Sequence, residues 1–217
     1  MSKFLGPIHY IMYEKIKFQD ILVKELLSKE ELVELNKKLS PVSNDDLENL
    51  IDGDNIHGWL SSQIDIVESR LAYAIKKKDN AKEVFYNFGK SLPKENYASN
   101  EELFNAINLI ILDGMPCDHA LRVEEDGDKL YLITVNDLHE KYQEDPLSID
   151  PSKSLDNSCE GSHDHDHHDS FDIKSKSAHI NNDKSSLFYE LRQALLAGFL
   201  EDYIVQLEGK NIIISKK

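Results

Sequence analysis

The sequence has few cysteines and no long apolar run. Cys117 and Cys159 are its only cysteines, and two are too few for the disulfide framework of a small secreted protein. Apolar runs such as residues 109–112 are far shorter than the ~20 residues of a membrane span. Residues 1–7 resemble the start of a signal peptide only weakly, because charged residues interrupt the apolar region that follows. We therefore expect a cytoplasmic location and no membrane partner.

Positive charge is also scarce. Lysine and arginine number 25 against 40 aspartates and glutamates, so the formal net charge is −15 at pH 7. Proteins bind nucleic acids and anionic membranes through clustered lysines and arginines, and we expect neither of these partners here. The acidic balance instead suits metal cations or a basic protein partner.

Common catalytic signatures are missing as well. The sequence has no GxxxxGK[ST] or GxGxxG phosphate-binding loop, no GxSxG nucleophile turn, and no HExxH or CxxC motif. The paired Glu-x-x-His motifs of di-iron helical bundles are absent too. These absences disfavour nucleotide-dependent, serine-hydrolase and zincin chemistry and leave other kinds of enzyme open.

Apolar spacing predicts that the N-terminal part is a helical bundle. Residues 4–39 follow the i, i+3/i+4, i+7 pattern of an amphipathic helix, with a second helix starting at the capping box Ser28-x-x-Glu31. Further helices are predicted near residues 44–51, 56–78, 80–91 and 100–112.

Strands are predicted in two places. The turn dipeptide Asp126-Gly127 lies between strand-like runs, which predicts a β-hairpin over residues 120–135. After a predicted helix at 186–201, residues 203–215 indicate a second hairpin around Gly209; a helix that continues to Gly209 as its C-cap is the alternative. The predicted fold class is therefore α+β, mostly helical, with a small antiparallel sheet and a C-terminal helix plus hairpin.

Residues 140–184 differ in composition from the rest of the chain. Nine of these 45 residues are apolar, which is 20% against 40% overall, and 11 acids against five lysines give a net charge of −6. So little apolar surface cannot offset the entropy of ordering, which predicts a flexible acidic loop or linker. We expect a helical domain ending in a hairpin at 1–139, this loop at 140–184, and a helix and strands at 185–217 that pack on the same domain.

Histidines are concentrated in this predicted loop. The cluster and its interleaved aspartates are His163, Asp164, His165, Asp166, His167 and His168, with His179 following. Neutral imidazole binds Zn, Ni and Cu ions, and carboxylates add oxygen donors. The segment resembles the histidine-rich loops of metal transporters and metallochaperones, which implies metal capture but no particular fold. It predicts a divalent transition-metal site without rigid geometry.

A second candidate site combines histidines from two predicted helices with a turn. His9 lies on the first helix, His57 lies near the start of a later helix, and Cys117 and His119 follow a Gly-Met-Pro turn. Together they make a four-ligand set for a tetrahedral ion. The helix dipole favours the neutral, metal-binding form of His57. A thiolate nucleophile at Cys117 and ordinary packing of all four side chains are the alternatives.

Three functions follow as hypotheses. The first is a soluble cytoplasmic protein that captures, stores, senses or delivers Zn, Ni or Cu ions through the 163–179 segment. The second is a helical protein–protein interaction module with an acidic surface and no metal role. The third is a metal- or cofactor-dependent enzyme that uses His9, His57, Cys117 and His119. We favour the first, which requires no catalysis.

Overall fold

The structure is a computed structural model that describes residues 5–51, 55–155, 174–175 and 184–217. The chain divides into two compact units. The first unit comprises residues 1–77 and 140–170, and the second comprises residues 78–139 and 171–217. Each unit is therefore assembled from two separate stretches of the chain.

The described elements confirm the predicted fold class, a mostly helical α+β protein with a C-terminal helix and hairpin. The helices are α1 (Pro7–Leu26), α2 (Lys29–Lys38), α3 (Leu47–Leu50), α4 (Ile56–Lys76), α5 (Ala81–Ser91), α6 (Asn100–Asn108), α7 (Glu140–Glu144), α8 (Ser152–Leu155) and α9 (Leu187–Phe199). The strands are β1 (Leu121–Asp126), β2 (Lys129–Thr134), β3 (Lys174–Ser175), β4 (Tyr203–Glu208) and β5 (Asn211–Lys216). Among the described helices, none is long and apolar enough to cross a membrane.

In the first unit, α1 and α4 pack side by side and run in the same direction. His9 meets His57 near the start of both helices, with ring centroids 5.5 Å apart. Asp20 meets Arg70 towards the end of both helices, with Asp20 Oδ1 2.8 Å from Arg70 Nε. The long connection between the two helices contains α2, whose start is the predicted capping box: Ser28 and Glu31 each accept the other's backbone N–H.

Arg70 is a fully buried charged residue in the interior of the first unit. Its side chain and that of Asp20 are both 0% exposed. Besides Asp20, the guanidinium donates from Nη1 to Asn36 Oδ1 at 2.9 Å and to the Leu39 carbonyl at 2.8 Å. Because an unpaired charge costs several kcal/mol in a protein interior, this arginine fixes α1, α4 and the end of α2 against one another.

Residues 140–155 form two short helices where the sequence predicts a loop. Asp65, buried on α4, accepts hydrogen bonds from the Tyr142 hydroxyl, the Ser154 hydroxyl and Lys141 Nζ. These contacts with α4 are polar, so they require no regular spacing of apolar residues from which the two helices could be predicted. One buried carboxylate thereby attaches both α7 and α8 to α4.

The second unit contains the sheet. Its strand order is β3-β1-β2-β5-β4, in which β1, β2, β5 and β4 are antiparallel and the two-residue β3 pairs in parallel with β1. The two hairpins turn at Gly127 (φ 59°) and Gly209 (φ 62°), the left-handed region that favours glycine. Both predicted hairpins are therefore confirmed, and the alternative of a helix continuing to Gly209 is wrong.

One face of the sheet carries the core of the second unit. Buried side chains of α6 and α9 pack there against buried side chains of the strands. The cluster consists of Leu103, Phe104, Ile107, Ile111, Val123, Leu130, Leu132, Leu196, Phe199, Leu200, Val205, Ile212 and Ile214. The C-terminal residues thus fold together with residues from the middle of the chain.

Helices α5 and α9 of the second unit touch backbone to backbone. A Cβ atom on Gly89 would lie 2.0 Å from the Leu195 carbonyl oxygen, and one on Gly198 would lie 2.0 Å from the Tyr86 carbonyl oxygen. Real Cβ atoms essentially never approach other atoms within 3.0 Å. Each glycine therefore admits the backbone of the opposite helix, and no side chain fits at either position.

We expect Gly89→Ala and Gly198→Ala each to lower the free energy of unfolding by about 2 kcal/mol, because the added methyl groups force the helices apart. The sign of this change in stability is informative, because alanine is intrinsically a better helix former than glycine by ~1 kcal/mol. Urea unfolding followed by circular dichroism measures the change. Asn87→Ala, at an exposed position of α5, is the control and should change stability by less than ~0.5 kcal/mol. Equal or greater stability of the glycine variants would contradict the backbone contact.

Candidate functional site

The histidine-rich segment lies outside the described residues. This holds for His163, Asp164, His165, Asp166, His167, His168 and His179. The metal site predicted in this segment therefore stays a prediction.

Two of the four residues in the second candidate set are in contact. The His9 and His57 rings meet edge to face, with an interplanar angle of 71°. Both lie in the first turn of their helices, and the α4 turn is capped by Asn55, whose Oδ1 accepts the Gly58 N–H at 3.2 Å. His9 is buried and His57 is half-buried. The contact follows from the parallel packing of α1 and α4, which the sequence pattern alone does not indicate.

The surroundings of His9 determine what its ring can offer. The Gly6 N–H donates to His9 Nδ1 at 2.9 Å, so Nδ1 carries no proton and the neutral ring has its proton on Nε2. The one lone pair of the neutral ring is then used by the backbone. A metal ion at His9 would have to displace either the Gly6 amide from Nδ1 or the proton from Nε2. In this geometry the His9 ring offers a hydrogen-bond donor, its Nε2–H group.

Cys117 and His119 belong to the second unit, whereas His9 and His57 belong to the first. Cys117 lies in a 3-10 turn at Pro116–Asp118, and both it and His119 are exposed. His119 has φ 47°, in the left-handed region that residues other than glycine seldom adopt. Within the described ranges, no three His, Cys, Asp or Glu side chains are grouped so as to hold a metal ion. The four-ligand site stays a prediction.

A group of charged residues that the sequence analysis does not identify lies at the base of the Cys117 turn. Asp113 Oδ1 is 2.7 Å from Arg192 Nη2 and 3.1 Å from His139 Nε2. Arg192 Nη2 also donates to the Leu112 carbonyl at 3.2 Å and lies 3.1 Å from His139 Nε2. Because one ring nitrogen cannot both donate to the carboxylate and accept from the guanidinium, the tautomer of His139 decides which of the two contacts is a hydrogen bond.

Aromatic rings enclose this group of three residues. The His139 imidazole stacks on Phe188 with centroids 3.8 Å apart, and the Arg192 guanidinium lies 4.9 Å from the same ring. Burial on its own raises the pKa of Asp113, but Arg192 and His139 outweigh it and hold that pKa well below the usual range. His139 is only 3% exposed. The arrangement therefore joins the start of the Cys117 turn to α9 and does not present an acid or base to solvent.

The sequence does not indicate this group, because its members are far apart along the chain. Asp113 and His139 are 26 residues apart, and Arg192 follows His139 by 53. No motif with short spacing connects them, so only the fold brings them together. The turn sequence Asp113-Gly-Met-Pro116 marks a bend but does not reveal the partners.

Comparisons with known proteins add no relative. No protein-family model, curated protein or solved structure matches the chain. Function therefore has to be inferred from the residues of this chain.

We expect Asp113 to make stability dependent on pH. Because its pKa is depressed in the folded state, the stability that its charge contributes is present above the unfolded aspartate pKa of about 3.9 and is lost as the pH falls through and below it. At pH 7, Asp113→Asn should lose about 3 kcal/mol, because a buried arginine loses its counter-charge. The variant should then lose less stability than the wild-type protein between about pH 4 and pH 3.

Urea unfolding at each pH measures both effects. The exposed Asp128 provides a matched control, and Asp128→Asn should retain the wild-type acid profile. Identical acid profiles for Asp113→Asn and the wild-type protein would show that the ion pair with Arg192 does not form.

Proposed function

We propose that this protein is a cytoplasmic metal-binding protein that captures a divalent transition-metal ion, Zn, Ni or Cu, through residues 163–179. The observation that carries the proposal is the density of ligands: four of the chain's nine histidines fall within six residues, interleaved with aspartates. Bound metal would then be stored, sensed or delivered by the protein.

The spacing of the cluster suits the chemistry of these ions. His163, His165 and His167 are each separated by one residue, so bringing their imidazoles to one ion closes only short loops and costs little entropy. Three imidazoles with a carboxylate or water complete a four-coordinate shell. Selectivity should follow the Irving–Williams order and metal availability, because the sequence spacing of the ligands specifies no distinctive geometry.

Charge supports cation capture at this place in the sequence. Residues 140–184 carry −6 of the total −15, which leaves −9 for the other 172 residues. A local excess of carboxylates raises the concentration of cations around the imidazoles and speeds their association. The acidity of the chain is thus concentrated where its histidines are.

We expect replacement of the four clustered histidines by asparagine to weaken binding of Zn²⁺ by at least about 100-fold, because no comparable set of ligands remains in the segment. The variant carries His163→Asn, His165→Asn, His167→Asn and His168→Asn in the full chain. Isothermal titration calorimetry of untagged protein with Zn²⁺ gives the affinity and the stoichiometry.

The control variant carries His57→Asn and His119→Asn, and it should bind Zn²⁺ as tightly as the wild-type protein. If the control variant loses the ion while the segment variant keeps it, the ion is bound by the second candidate set and the proposal is wrong. If both variants bind as the wild-type protein does, neither set holds the ion.

We also expect affinity to fall steeply in acid. Each imidazole ligand must be neutral, so below a pKa of about 6.5 protons compete with the metal at every ligand. For three imidazoles with a pKa of about 6.5, the affinity should drop by about 170-fold between pH 6.5 and pH 5.5. Titrations with Zn²⁺ across this range measure the slope, and an affinity that does not change with pH would exclude imidazole ligands.

A further inference from the structure

A groove of about 190 Å³ in the second unit is independent of the metal-binding proposal. It lies where the start of α6 meets the turn between β1 and β2 and the outer ends of β4 and β5. The volume suits a small metabolite and is below that of most sites for drug-sized ligands.

Two tyrosines give the groove a rigid apolar lining. Tyr97 and Tyr203 both pack against the core cluster of the second unit, so their rings are held in place. Burial raises the pKa of both hydroxyls, with Glu95 and Asp202 adding to the effect. Both tyrosines are therefore protonated at neutral pH and offer O–H donors beside their ring faces.

Two side chains of opposite charge complete the groove. Lys216 is the last residue of β5 and pairs with Tyr203 on β4. Asp128 lies in the turn between β1 and β2. Over the part of the chain that the structure describes, neither charge has an ion-pair or hydrogen-bond partner. Asn100 also lines the groove and is attached to the β1–β2 hairpin, because its amide donates to Glu125 Oε2 at 2.9 Å and to the Gly127 carbonyl at 3.4 Å.

We propose that this groove binds a small zwitterion such as a free amino acid. Lys216 takes the carboxylate, Asp128 takes the ammonium group, and the side chain of the ligand lies against the Tyr97 and Tyr203 rings. A ligand that carries only one of the two charges leaves one protein charge unmatched.

Calorimetry and ligand-observed NMR test the proposal with three probes that share an isobutyl group. L-leucine is the zwitterion, 4-methylpentanoate has only the carboxylate, and 3-methylbutylamine has only the ammonium group. L-leucine should bind with a Kd near 1 mM, and each single-charge probe should bind at least about tenfold more weakly, because one charge-assisted contact is lost. No detectable binding of L-leucine at about 10 mM would overturn the proposal.

Variants of the full chain identify the groove as the site. Lys216→Met should weaken L-leucine at least about tenfold and leave 3-methylbutylamine unchanged, whereas Asp128→Asn should weaken L-leucine and leave 4-methylpentanoate unchanged. Lys217→Met changes the neighbouring lysine, which does not line the groove, and should bind L-leucine as the wild-type protein does. If Lys216→Met and Asp128→Asn both keep wild-type affinity for L-leucine, the ligand binds elsewhere and the proposal is wrong.

Discussion

Each unit of this protein buries an arginine, and the structure depends on matching it with an aspartate. Arg70 is paired with Asp20 in the first unit, and Arg192 is paired with Asp113 in the second. Since an unmatched guanidinium costs several kcal/mol in a protein interior, arrangements that separate either pair are strongly disfavoured. The first pair sets the register of α1 along α4, which apolar contacts alone specify less sharply. The second pair connects the turn that carries Cys117 to the middle of α9.

The sequence predicts those parts of the fold that local chemistry determines. The capping box at Ser28 and Glu31 separates α1 from α2, and glycines at 127 and 209 turn the two hairpins. Residues 140–155 are different, because α7 and α8 are attached mainly through polar contacts to Asp65 on a distant helix. Composition alone predicts a loop for such a segment, because the Asp65 carboxylate that stabilises it is more than 70 residues away in the chain.

The candidate sites also differ in whether their residues are neighbours in the chain or are brought together by tertiary packing. The histidine-rich segment can be recognised from sequence because its ligands are neighbours in the chain. The contact of His9 with His57 and the group formed by Asp113, His139 and Arg192 depend on tertiary packing, so no short motif indicates them. The zwitterion groove is also non-local, since its lining comes from α6, a β-turn and two C-terminal strands. The sequence pattern thus favours metal capture, whereas the fold brings together the groove that we propose binds a zwitterion.

The division of each unit into two stretches of chain has a consequence for biosynthesis. During translation, α1 is made about 50 residues before its partner α4, and α7 and α8 follow only after the first half of the second unit. The second unit in turn waits for α9, which supplies the partner of α5 and part of the core. Neither unit can fold to completion as an N-terminal domain on the ribosome, so the usual domain-by-domain order of folding does not apply. The many contacts between distant residues also place the chain among slower folders than a simple up-and-down helical bundle.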